Sequence, residues 1–125
     1  IHIDDVVDLY LTMLEAPDER IAGETFNAGY ENRTILQIAE TVRDTLRRSS
    51  PGQEDIEIVT TPSDDMRSYH ISSAKIRREL GFVPKRTVEN AVQDLAAALR
   101  TGMLPNSMSD TRYYNIKTMQ ALNLK

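Results

Sequence analysis

The side chains best suited to acid–base chemistry or metal binding are two histidines that lie far apart in the sequence. His2 stands beside Asp4 and Asp5, and imidazole with carboxylate could hold a metal ion or exchange a proton. His2 and Asp4 would share one face only in a continuing strand, because side chains alternate along a strand. We therefore expect a capped helix start here. His70 follows Tyr69 with no carboxylate or nucleophile at a catalytic spacing, and we expect it to be structural.

The composition narrows the classes of function. The 125 residues include no cysteine, which excludes disulfides, thiolate nucleophiles and cysteine-based zinc sites. Fifteen basic against nineteen acidic residues give a net charge of −4, which disfavours nucleic acid and anionic lipid as partners. No apolar run approaches the length of about 20 residues that spans a bilayer. We expect one globular, cytoplasmic domain.

Hydrophobic periodicity indicates which elements would position these side chains. Apolar residues at helical spacing predict helices near residues 4–16, 34–48, 72–80, 87–101 and 116–122. The start signals are the capping-box pair Thr34 and Gln37, then Ser72 or Ser73, then Thr87. β-Branched and aromatic residues predict short strands at 25–28 and 56–61, and residues 1–3 read as the end of a strand. The predicted class is mixed α/β.

Three stretches stand in a recognisable order along the sequence. They read Ile1-His2-Ile3-Asp4-Asp5-Val6, then Thr25-Phe26-Asn27-Ala28-Gly29, then Ser73-Ala74-Lys75-Ile76-Arg77-Arg78-Glu79-Leu80-Gly81-Phe82-Val83-Pro84. Together they resemble the C-terminal half of the extended short-chain dehydrogenase/reductase family, to which NAD(P)-dependent nucleotide-sugar epimerases and dehydratases belong. The family's stretches read roughly hydrophobic-His-Val-Asp-Asp-Val, Tyr-Asn-Val-Gly and Ser-Lys-Ala-x-x-x-Leu-Gly-aromatic-x-Pro. Order and spacing carry the resemblance, which covers nearly the whole chain.

The resemblance implies a small mixed α/β substrate-binding lobe at residues 1–105 and a C-terminal tail with a short helix at 106–125. Family members pair such a lobe, which holds a nucleotide sugar, with a Rossmann domain that binds NAD(P). The dinucleotide fingerprint is a glycine-rich turn between a strand and a helix, and five scattered glycines provide none. We therefore expect the substrate side of an epimerase or dehydratase whose cofactor and catalytic groups lie outside this chain. Alone, the fragment would be inactive.

The resemblance also assigns candidate substrate-binding residues. Asp65 and Arg67 lie in the loop after the second predicted strand, where the family carries an Asp or Arg that faces the sugar nucleotide. Arg67 would suit a phosphate because its guanidinium fork matches two oxygens at once. The alternative is that Arg67 pairs with Asp64 or Asp65 on a solvated loop. Asn27 matches an asparagine near the family's pocket, although a turn residue that bonds the backbone explains it as well.

One further spacing matches the family, but at the wrong place in the chain. Tyr113 and Lys117 have the Tyr-x-x-x-Lys spacing of the family's general acid/base pair, in which the lysine lowers the pKa of the tyrosine. In the family this pair precedes the segment that is similar here. We therefore expect packing or docking from these residues and assign no catalytic residue. The pair Arg77-Arg78 is predicted to be a solvated helix face.

Two other classes of function remain open. The chain could be a stand-alone binding module that keeps the lobe's shape and holds a partner with residues 106–125. A nucleic-acid binder built on Arg47-Arg48 or Arg77-Arg78 ranks last, because the net charge is negative. If a Rossmann domain normally covers the first helix, apolar surface would be exposed without it, and we expect self-association as a homodimer.

Overall fold

The computed structural model of the chain describes residues 1–49, 56–64 and 67–123. Its helices are α1 Ile3–Glu15, α2 Asp18–Ile21, α3 Ile35–Ser49, α4 Ala74–Leu80, α5 Val88–Arg100, a 3-10 helix at Thr111–Tyr113 and α6 Asn115–Ala121. The chain divides into two compact units, Ile1–Gln93 and Asp94–Lys125. Helix α5 therefore begins in the first unit and ends in the second, while the domain boundary predicted at residue 105 stays a prediction.

The segments predicted as strands are not paired in the described part of the chain. Residues 25–28 and 56–61 have no regular secondary structure, and no β-ladder occurs among the described residues. A strand is stable only beside a second strand that completes its backbone hydrogen bonds. Hydrogen bonds from the side chains of Asn32, Ser73 and Lys75 connect residues 24–32 to residues 71–75 instead. The mixed α/β class stays a prediction.

Two predicted helix starts are confirmed in atomic detail. At α3, the Thr34 N–H donates to Oε1 of Gln37 at 2.8 Å, and the Gln37 N–H donates to Oγ1 of Thr34 at 3.1 Å. At α5, the Thr87 N–H donates to Oδ1 of Asn90 at 2.9 Å, and the Asn90 N–H donates to Oγ1 of Thr87 at 3.2 Å. Each pair satisfies backbone donors that a helix terminus leaves open, as a capping box requires.

Other local predictions need correction. The cap of α1 is His2, whose Nδ1 accepts the Asp4 N–H at 3.2 Å, so the carboxylates of the first turn do not cap it. Residues 18–21 form helix α2, which is not among the helices predicted from the sequence. Of the two predicted caps of α4, Ser73 occupies the N-cap position without a capping bond, whereas the Ser72 Oγ accepts the Ala74 N–H at 3.4 Å. These polar side chains have partners elsewhere, and such partners are invisible to a local pattern.

The apolar core of the first unit is small. Among the described residues, the buried apolar side chains are Ile76 on α4 and Phe82 and Pro84 in the turn after it. Gly81 ends α4 with a φ of +69°, a conformation that costs glycine nothing. The stripe predicted to be buried on α5 is partly open, since Leu95 and Leu99 are exposed.

A buried carboxylate joins α1 to the segment after α4. The Asp5 side chain is only 1% exposed, and its Oδ2 accepts the Arg86 N–H at 2.9 Å. The Lys85 N–H approaches both of its oxygens at 3.2 Å, and Nη1 of Arg86 donates to Oδ1 at 2.8 Å. Burial alone would raise the pKa of Asp5, but the N–H groups of Arg86 and Lys85 and the Arg86 guanidinium hold it below its ordinary value.

We expect Asp5→Ala to lower the free energy of unfolding by about 1–3 kcal/mol, because two backbone donors lose their acceptor. Asp8→Ala is the matched control, since Asp8 also pairs with Arg86 at 3.1 Å but is largely exposed. That control should cost less than about 1 kcal/mol. Urea denaturation measures both values, and equal losses would contradict the assignment.

Acidification should weaken the same contact. Because folding lowers the pKa of Asp5, its contribution to stability is complete above the unfolded-state pKa of about 4 and is lost as pH falls through the folded-state value. Asp5→Asn should flatten this part of the stability profile. Urea midpoints measured between neutral and acidic pH provide the test, and an unchanged profile would count against the contact.

Candidate functional site

Helix α4 begins where the second and third sequence motifs meet. The Oγ of Ser73 accepts the Gly29 N–H at 2.8 Å and donates to the Gly29 carbonyl oxygen at 2.9 Å. A Cβ at position 29 would lie 2.5 Å from Cδ1 of Ile71, the end of an exposed side chain, so a larger residue at 29 would displace that side chain.

Lys75 adds a second tie between these motifs. Its ammonium group donates to Oε2 of Glu24 and to the Thr25 carbonyl oxygen, the latter at 2.9 Å. It also lies 4.9 Å from the centre of the Phe26 ring, within range of a cation–π contact. The hydrogen bond from Lys75 and the charge of its ammonium group lower the pKa of Glu24. The Ser73 and Lys75 positions of the motif thus hold residues 24–29 against α4.

A side-chain amide continues this junction. The Nδ2 of Asn32 donates to the Ile71 carbonyl oxygen at 2.9 Å, and its Oδ1 accepts the Ile71 N–H at 3.0 Å. Asn32 therefore satisfies both backbone groups of one residue, as a neighbouring strand would. Neither the hydrogen bonds between Asn32 and Ile71 nor those between Ser73 and Gly29 were predicted, because the partners are separated by about 40 residues in the chain.

A surface cavity of about 300 Å³, open to solvent, lies at this junction. Polar side chains and backbone dominate its wall, which consists of Gly29, Tyr30, Glu31, Asn32, His70, Ile71, Ser72, Ser73, Ala74 and Arg77. It is at the small end of the range for ligand cavities, large enough for one polar group of a ligand. We refer to it as the junction cavity. It is the candidate functional site of the first unit.

Two of the predicted substrate-binding residues, Asn27 and Arg67, lie on chain segments that precede the lining residues of this cavity. Asn27 and Arg67 are exposed, on the two chain segments that lead to the junction. The described residues that line the junction cavity include neither of them. Asp65 lies outside the described residues, so its prediction is neither supported nor contradicted. His70, which was predicted to be structural, lines the cavity and is exposed.

A larger cavity of about 520 Å³ is lined in part by residues 31–33, and Arg33 makes several contacts in its wall. The Arg33 guanidinium contacts Oε1 of Glu31 at 2.8 Å and Oε1 of Glu89 at 3.5 Å, and it donates to Oγ1 of Thr41 at 2.7 Å. The pKa of Glu89 is lowered, first by hydrogen bonds from its own backbone and from Thr87, and also by Arg33. One guanidinium between two carboxylates leaves this network with a net negative charge, and its contacts connect the segment at 31–33 to α3 and α5.

In the second unit, the Tyr-x-x-x-Lys spacing does not pair the two residues that define it. The Lys117 ammonium group lies 4.2 Å from the centre of the Tyr114 ring, a cation–π contact with the neighbour of Tyr113. Tyr114 also donates its hydroxyl to the Met108 carbonyl oxygen at 3.0 Å. Packing within residues 108–117 explains both side chains. Tyr113 and Lys117 therefore remain unassigned to catalysis.

Comparison with known proteins shows that this chain is related in sequence to an enzyme. The chain is similar to a dTDP-glucose 4,6-dehydratase of Neisseria gonorrhoeae, with 31% identity over 98 residues that cover 70% of this chain. It spans only 28% of the length of that relative. No family model matches the sequence, and no solved structure matches it. Among the described helices, none has the length and apolarity needed to cross a membrane. The chain is thus a distant relative of a nucleotide-sugar dehydratase, in agreement with the resemblance drawn from its three motifs.

Proposed function

We propose that this chain is the nucleotide-sugar-binding side of an NAD(P)-dependent epimerase or dehydratase of the extended short-chain dehydrogenase/reductase family. The similarity to a dTDP-glucose 4,6-dehydratase carries the proposal. The three motifs support it, because Asp5 joins the first motif to the residues that follow the third, and Ser73 joins the third to the second. In this proposal dTDP-glucose is the first ligand to consider. The mixed α/β lobe belongs to the same proposal.

In the parent enzyme, NAD(P) would exchange a hydride with the sugar. The residues of this chain do not fit that cofactor, because a dinucleotide site needs a glycine-rich turn between a strand and a helix. Gly81 ends α4, Gly102 follows α5, and Gly29 packs against Ile71. We therefore assign this chain substrate binding alone, with Arg67, Asp65 and Asn27 as proposed contacts.

Isothermal titration with dTDP-glucose tests this function. We expect weak binding that Arg67→Ala reduces about tenfold or more, because a charge-assisted hydrogen bond contributes about 1.5–3 kcal/mol. Arg43→Ala is the matched control, since Arg43 already pairs with Asp44 at 2.8 Å. UDP- and GDP-glucose show whether the base is recognised. Equal losses in both variants, or no binding to any nucleotide sugar, would contradict the proposal.

A second candidate function, a module that associates with a copy of itself, is favoured by the surface of α1. Five exposed apolar side chains recur along this helix at intervals that place them on one face: Ile3, Val7, Tyr10, Leu11 and Leu14. We call this set the α1 face. It is a contiguous apolar surface of the kind that marks interaction sites. The helix also carries only acidic charges.

Sedimentation velocity over a range of concentrations tests this second candidate. We expect self-association that Leu14→Asp abolishes, because the Leu14 side chain is 81% exposed and a charge there would be desolvated in a dimer. Added salt should strengthen the dimer by screening the acidic helices from each other.

Two further variants show which surface is used. Ile35→Asp places the same change on α3 and should have no effect, since Ile35 is also exposed but lies outside the α1 face. If Ile116→Asp abolishes association, the contact is made by the C-terminal tail instead of the α1 face. A chain that stays monomeric at every concentration would eliminate the module.

A further inference from the structure

The polar groups around the junction cavity divide into those with partners and those without. Both amide atoms of Asn32 bind Ile71, and the Ser73 hydroxyl binds Gly29 in both directions. Glu31 is held by Arg33 at 2.8 Å. These groups are committed to the fold. These contacts occupy Oε1 of Glu31 and leave its Oε2 as an acceptor.

Arg77 differs from the arginines near it. Within the part of the chain that the structure describes, its guanidinium makes no hydrogen bond or ion pair. Its neighbour Arg78 donates from Nε to Oε1 of Glu79 at 2.8 Å, and Arg86 pairs with Asp5 at 2.8 Å. The rim of the junction cavity therefore carries a positive charge without a matching carboxylate. The two residues of the Arg77-Arg78 pair, expected from the sequence to form one solvated face, have different environments.

Two more donors border the same space. The His70 imidazole has no partner among the described residues, and it lines the cavity together with Arg77. The Ser72 oxygen accepts the Ala74 N–H at 3.4 Å, which leaves its own hydrogen available for donation. A guanidinium, an imidazole and a hydroxyl donor form a set that suits an anion, since the Glu31 carboxylate in the same wall is already paired with Arg33. A fixed guanidinium fork fits two oxygens of one phosphoryl group.

We propose that the junction cavity is a subsite for a phosphoryl group. Arg77 would bind this group, and His70 and Ser72 would be additional hydrogen-bond donors. The group would belong to the diphosphate of the nucleotide sugar, and to that extent the proposal rests on the proposed function. The cavity has room for such a group but not for a complete nucleotide sugar. The remainder of the ligand would extend from it over the exposed segments that carry Asn27 and Arg67.

NMR titration of the isotope-labelled chain with inorganic pyrophosphate tests the subsite without a nucleotide. At low salt we expect shifts concentrated at residues 29–32 and 70–77, with a dissociation constant of about 1 mM. Arg77→Ala should weaken this binding about tenfold or more. Arg78→Ala removes the same charge one residue later and should change it by less than about twofold. Circular dichroism would show that both variants keep their helices, since both side chains are exposed.

The outcomes separate this subsite from the function proposed above. If pyrophosphate causes no localised shifts, or if Arg77→Ala and Arg78→Ala weaken binding equally, the subsite is overturned. If dTDP-glucose binds and depends on Arg67 but not on Arg77, the subsite fails while the proposed function stands. If pyrophosphate binding depends on Arg77 and dTDP-glucose binds no more tightly than pyrophosphate, the subsite stands as a site for free phosphate and the proposed function fails.

Discussion

A single buried carboxylate fixes the relation between the two ends of the first unit. Asp5 is almost fully enclosed, and a charge in that position is tolerated only when hydrogen bonds replace the water it has lost. The backbone of Lys85 and Arg86 supplies those bonds from the segment that leads into α5. With only three apolar side chains buried among the described residues, Ile76, Phe82 and Pro84, directional polar contacts determine much of how these segments are arranged.

The same dependence on directional polar contacts explains why the three motifs occur together. Asp5 is the last acidic residue of the first motif, Gly29 ends the second, and Ser73 begins the third. Each makes its main contact with another motif or with residues next to one, over separations of 44 to 81 residues. The motifs are thus first of all structural. Their polar contacts also create the junction cavity, so the chemistry available to a ligand follows from which side chains the fold leaves uncommitted.

Local signals predicted the helices well and the site poorly. The Thr34 and Thr87 capping pairs involve partners three residues away, so the sequence displays them directly. Ser73 looked like a cap for the same reason, yet its hydroxyl is used by Gly29. Arg78 pairs with its sequence neighbour Glu79, but that Arg77 has no such pairing within the described part of the chain depends on its folded surroundings and could not be predicted. Sequence periodicity specifies which face of a helix is apolar, but not which polar groups find partners.

The Asn32 amide has a consequence for how this chain can vary. It offers one donor and one acceptor in a plane, as a peptide group does, and it meets the two backbone groups of Ile71 with both. The Ser73 hydroxyl does the same for Gly29. Each of these positions therefore requires a side chain that can give and receive a hydrogen bond at once. Carboxylates and ammonium groups lack one half of that capacity, so charge is excluded from two positions at the edge of a polar cavity for geometric reasons rather than electrostatic ones.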